Sequence, residues 1–89
     1  MIKIINTTYI NKYIVKIDFS DGSYSNCDFS YLLSKNSQLT KALVDIEYFK
    51  SFFLELGAIC WKNGLELSPQ SIYKKAKEAG ELFSDKSVA

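Results

Sequence analysis

Chemistry in this chain has few places to reside. There is no histidine and no arginine among the 89 residues, so every base of moderate pKa and every bidentate guanidinium is missing from the outset. Cys27 and Cys60 are the only thiols. A catalytic thiolate needs a neighbouring base or cation to activate it, and a structural zinc site wants four ligands, so both are expected to be small buried thiols with no metal and no cofactor. Asp18, Asp21, Asp28, Glu55 and Glu66 fall in or beside extended segments. Acid–base catalysis needs two groups driven to different pKa values, and this scatter supplies no such pair, so solvated charge is the expectation. No glycine-rich phosphate loop and no Gly-x-Ser-x-Gly elbow is present. Conventional enzyme chemistry is not expected.

What remains is binding. Lys74, Lys75 and Lys77 make the densest basic patch, a candidate for phosphate contact, interleaved with Glu78 and Glu81. The net charge is only +1, without the basic excess of a dedicated nucleic-acid binder. Trp61, the only tryptophan, can plug the end of a thin core or anchor an interface.

The elements that must position these residues are legible in outline. Aromatic residues make up 15% of the chain and hydrophobic ones 47%, which excludes intrinsic disorder. A chain of this length buries only about two-thirds of its unfolded surface, so one small core is expected. Tyr13, Val15, Ile17 and Phe19 alternate with Lys16 and Asp18, the period of a half-buried strand. Asp21-Gly22 then predicts a tight primed hairpin turn into a strand over 24–29. Ile2 to Ile5 supplies a first strand, with 6–12 turning the chain. From Ser30 the period becomes helical: a short turn over 30–33, then Leu39, Ala42, Leu43, Ile46 and Phe49 in a stripe, with Asp45 placed to cap a second short helix. Both phases of 52–61 are apolar, which predicts a strand or hairpin covered on both faces, bent at Gly57. Lys62-Asn63-Gly64 makes a turn, and Ser68-Pro69 starts a last helix whose stripe includes Ile72, Ala76, Ala79 and Phe83, with Tyr73 beside it.

The expected architecture is therefore α+β: a small antiparallel sheet, from an N-terminal hairpin or meander plus a later strand pair, packed with short helices and a C-terminal helix. Residues 1–83 form one domain and 84–89 a frayed tail. No signal-like or membrane-spanning apolar run is present, which points to the cytoplasm, with both thiols reduced.

Phe19-Ser20-Asp21-Gly22, Asp28 with Leu32-Leu33, and Trp61-Lys62-Asn63-Gly64-Leu65-Glu66-Leu67-Ser68-Pro69 with Tyr73 together form a pattern. It resembles the bacterial domain-of-unknown-function family 2442, over roughly residues 1–75. Lys62 stands where that family usually has proline. The resemblance implies a small α+β domain, often encoded beside another small protein in a toxin–antitoxin-like arrangement and in some members fused to a helix-turn-helix. No catalytic residues carry over.

The expected function is a non-catalytic interaction module, antitoxin-like or accessory, that binds a partner protein or itself as a dimer. The expected contact residues are Trp61, Ile72, Tyr73, Ala76, Leu82 and Phe83, because a domain this small has little room to bury the whole helix stripe. The alternative is a nucleic-acid-associated regulator acting through Lys74, Lys75 and Lys77.

Overall fold

The structure, a computed structural model, describes residues 1–84. Its first sheet is built from β1 (Ile4–Asn11), β2 (Ile14–Phe19), β3 (Ser23–Asp28) and, at the far end of the chain, β7 (Phe83–Ser84), in the order β1-β2-β3-β7, all antiparallel. A second antiparallel sheet holds β4 (Phe53–Glu55), β5 (Ala58–Cys60) and β6 (Glu66–Leu67) in that order. Short helices α1 (Gln38–Lys41) and α2 (Ile46–Lys50) join the two sheets, and α3 (Pro69–Glu78) follows the second. The α+β expectation holds. No helix among the described residues is long and apolar enough to cross a membrane.

β2 alternates as its sequence dictates: Val15, Ile17 and Phe19 are buried, with Ile14, Lys16 and Asp18 between them only half so. Around them close Ile4, Phe29, Leu32, Leu43, Phe49, Ile59, Trp61 and Ile72, drawn from nearly every element. The β2–β3 hairpin differs from a two-residue primed turn. Three residues, Ser20 to Gly22, form the loop; Gly22 sits at φ 89 and its N–H donates to the Phe19 carbonyl at 3.1 Å. Asp21 has no positive φ; its carboxylate instead accepts the Ser23 N–H at 2.9 Å. This is the type I turn followed by a left-handed glycine that three-residue hairpins use.

The first strand is longer than its sequence suggested. Positions 6–11, expected to turn, extend β1, with Thr7 opposite Ile17, Thr8 opposite Lys16 and Tyr9 opposite Val15. β-branched and aromatic side chains at 7–10 outweigh the flanking asparagines, and the corner falls instead at Lys12, at φ 48, and Tyr13.

Helix starts follow the capping signals. Asp28 accepts the Ser30 N–H at 2.9 Å to open a 3₁₀ turn over Phe29–Ser34, Asp45 accepts the Glu47 N–H at 3.0 Å to open α2, and Ser68 accepts the Ser71 N–H at 3.1 Å ahead of Pro69. The last helix ends earlier than its stripe. Gly80, at φ 71, donates to the Lys77 carbonyl at 3.1 Å, and Glu81 donates to Ala76 at 2.9 Å, a Schellman stop that turns Leu82 and Phe83 out of the helix. Phe83 and Ser84 then pair with Tyr24 and Ser23. Ser84 thus belongs to a strand, and the rest of the tail expected over 84–89 lies outside the described residues.

Segment 52–61 is the expected hairpin, turning on Leu56 (φ 51) and Gly57 (φ 81), but only one of its strands is covered on both faces. β5 is buried throughout, whereas every residue of β4 is exposed, because β4 is an edge.

Candidate interaction surfaces

The surface read from the helix stripe is largely inside the protein. Trp61 is 2% exposed; its indole N–H donates to the Phe49 carbonyl at 3.0 Å, and its ring lies 6.0 Å from Phe49 and 6.2 Å from Phe52. Ile72 and Ala76 are buried as well. Tyr73 and Leu82 are half-buried against the core, and Phe83 alone of the six expected contact residues is exposed, at 48%, beside the Tyr24 ring. Correction is therefore needed at Trp61, Ile72 and Ala76. One helix face, two thin sheets and the indole are enough to consume one another's apolar surface.

Asn63 carries more of the corner after Trp61 than turn propensity implies. Its side-chain amide donates to the Leu39 carbonyl at 3.1 Å, its side-chain oxygen accepts the Leu65 N–H at 3.1 Å, and its own N–H meets the Tyr48 hydroxyl at 3.1 Å. The left-handed position is taken by Gly64, at φ 96. Lys62, in the proline position of the resembled motif, leaves that geometry intact.

Tyr73 serves as a strut. Its hydroxyl donates to Asp21 Oδ2 at 2.8 Å while its ring edge meets Phe19 at 5.1 Å, pinning α3 to the β2–β3 loop. Hydrogen bonds from the Ser23 hydroxyl, from the Ser23 amide and from Tyr73 hold the Asp21 carboxyl below the usual aspartate range, against a smaller opposing effect of burial. The same Asp21 bond pushes the Tyr73 phenol up. A carboxylate with a lowered folded-state pKa contributes stability that is present above the unfolded value and is lost as pH falls through the folded one. Melting temperatures of the wild type are expected to drop more steeply below about pH 4 than those of Asp21→Asn; parallel acid profiles of the two would remove Asp21 as the cause.

Two of the three lysines stay together. Lys74 and Lys75 share a shallow depression with Lys35, Tyr31, Ser71 and Glu78, which Lys77 does not line. The Lys75 ammonium lies 4.1 Å from the Tyr31 ring centroid, a cation–π contact that the spacing of Lys74-Lys75-x-Lys77 did not foretell. A cavity of about 110 Å³ nearby is lined by Cys27, Phe29, Tyr31, Ile72 and Ala76 among others. Burial pushes the Cys27 thiol up, and the Cys60 thiol likewise. Both are free. Among the described residues no cluster of acidic and thiol side chains could hold a metal ion.

Two surfaces that sequence reading passed over stay open. The first is the β4–β5 hairpin, with Phe53, Leu54 and Leu56 exposed and Leu56 fully extended into solvent at 92%. Nothing in the structure explains a leucine at that left-handed turn position. The second is the free edge of β1. The Gly57 carbonyl takes the Ile4 N–H at 3.0 Å, closing that corner, but beyond it no backbone bond other than those to β2 reaches the strand among the described residues. Register shifts leave Ile5 and Ile10 without partners on β2, at 64% and 46% exposure, on either side of the regular stretch Asn6 to Tyr9. From Ile4 to Asn11 there is no charge and no proline. Natural sheets blunt exposed edges with charge, proline, brevity or bulges; this strand has neither charge nor proline and is eight residues long, and its bulges at Ile5 and Ile10 flank the regular stretch Asn6 to Tyr9. The available signal was the run of β-branched and aromatic side chains in Thr7-Thr8-Tyr9-Ile10; the asparagines at each end concealed it.

Residues 4–78 match the model of a family described as "Protein of unknown function (DUF2442)". No curated protein and no solved structure matches the chain.

Proposed function

The chain belongs to the DUF2442 family, and from that starting point we propose that it is a non-catalytic protein-interaction module that takes up an extended segment of a partner as an additional strand on β1. The observation that carries the reading is the edge of β1 from Ile5 to Asn11, open on one side beyond the Gly57–Ile4 bond and free of charge and proline. Half of the amides and carbonyls of an antiparallel edge strand point away from its neighbour, so a bound segment gains main-chain hydrogen bonds without needing a deep pocket. Ile5 and Ile10 add apolar contact at the two ends of the regular stretch. This keeps the expectation of a partner-binding accessory protein and moves its docking surface from the buried helix stripe to the opposite edge of the sheet.

A displayed library of nonapeptides panned against the whole protein tests it. Selected peptides are expected to slow amide hydrogen exchange within 5–11. N-methylation of their alternate backbone amides should lower affinity at least about tenfold, the equivalent of one or two lost hydrogen bonds. Binders that protect α3 or the lysine depression instead, or that are indifferent to N-methylation, would refute strand addition.

A further inference from the structure

We infer that the segment accepted by β1 belongs to another protein and is uncharged at its centre and acidic at both ends. This rests on the strand-addition reading above. Lys3 and Lys12 bracket β1, both are exposed, and neither forms an ion pair among the described residues. The other two lysines near the strand are already engaged. Lys16 pairs with Asp18 at 3.8 Å, and Lys50 pairs with Glu47 at 3.7 Å while lying 5.1 Å from the Tyr9 ring centroid. Asp18 also accepts a 3.4 Å bond from the Asn6 side chain.

Lys3 shares a surface depression with Glu55 and Glu66, which temper its field, whereas Lys12 forms no ion pair among the described residues. The Lys12 end is therefore the stronger determinant. Lys12 lies nine positions after Lys3, roughly 30 Å of extended chain, which sets the spacing of the partner's acidic ends.

The same lysines argue against a second copy as the occupant. In antiparallel pairing about a two-fold axis, opposed side chains must share a face, so the axis passes through a residue. With Thr7 or Thr8 on the axis, Lys12 of one copy falls one position from Lys3 of the other, on the opposite face of the paired strands, and symmetry makes that happen twice. β1 has no carboxylate in either copy to offset these lysines, so pairing two copies gains nothing from them. An acidic-ended segment supplies the missing opposite charge at both ends.

Three synthetic peptides share a neutral centre chosen by the library selection and differ only in carrying Glu, Gln or Lys at both ends. Affinity is expected to fall in the order Glu, Gln, Lys. Glu should bind about 5- to 20-fold more tightly than Lys at low salt, the size of two exposed charge pairs. That ratio should shrink toward one in roughly 0.5 M salt and in a Lys3→Gln/Lys12→Gln variant. Equal binding by all three peptides overturns the acidic-end inference and leaves strand addition standing. No binding by any, with β1 amides unprotected, overturns strand addition itself. A dimeric mass by light scattering with β1 protected in the free protein would overturn this inference in favour of a second copy.

Discussion

Trp61→Ala is expected to cost about 3–5 kcal/mol and to leave much of the chain unfolded at physiological temperature. A domain of 89 residues has a total stability of only roughly 4–13 kcal/mol, so this one side chain accounts for a large share. The loss has two parts. Removing the indole opens a void against Phe49 and Phe52, both within 6.2 Å of its ring centroid, at a place where Val15, Phe29 and Ile59 also converge. It also removes the 3.0 Å bond from the indole N–H to the Phe49 carbonyl. Trp61→Phe separates the parts: the ring is largely replaced while the donor is lost, and about 1–2 kcal/mol is expected. Urea denaturation followed by circular dichroism measures both, since the mutations delete the only tryptophan fluorophore. Were Trp61→Ala to shift the midpoint no more than an ordinary surface substitution, the indole would not be the keystone its burial implies.

Gly57→Ala is expected to destabilise by about 2–3 kcal/mol, clearly more than Gly64→Ala at about 1 kcal/mol. Both glycines have positive φ, 81 and 96, so the conformational penalty of a Cβ is shared. Only Gly57 is also crowded. A Cβ there would stand 2.8 Å from Lys3 Cβ and 3.4 Å from its Cα, whereas the same atom at Gly64 meets nothing within 4 Å. Relief requires moving backbone, because the Gly57 carbonyl is tied to the Ile4 N–H at 3.0 Å, a direct main-chain tie between the two sheets. The comparison of the two variants by thermal melting isolates the steric part. Equal losses would mean that Lys3 yields freely and that the joint between the sheets is softer than its geometry. Gly57→Ala should also loosen the Ile4 end of the β1 edge, and faster amide exchange at Ile4 would report that.

Much of the fold was legible because its determinants are local. Ser68-Pro69 and Asp45 open helices wherever their neighbours allow, since a side-chain oxygen needs only an amide two or three residues away. The alternation from Tyr13 to Phe19 requires a two-sided strand whatever lies above it, and Asp21-Gly22 requires a corner between strands, though the count of residues in that corner was misjudged. The turn after Trp61 was likewise readable, including its start of the segment that leads to α3. What the sequence alone could not decide is which apolar side chains would be left outside. Ile72, Ala76 and Trp61 were candidates for an exposed patch until β2, β5 and α2 closed over them. That outcome depends on contacts such as the one between Tyr73 and Asp21, 52 residues apart. The identity of β1 as a long open edge was hidden for the same reason. Asparagines read as turn residues until Ile17 and Val15, across the corner, pair with their neighbours and hold the segment straight. Caps, periods and turns are set by interactions within a few residues, so the amino-acid sequence determined them. Burial and exposed edges are sums over distant partners, so only the tertiary structure decided where this protein presents a surface.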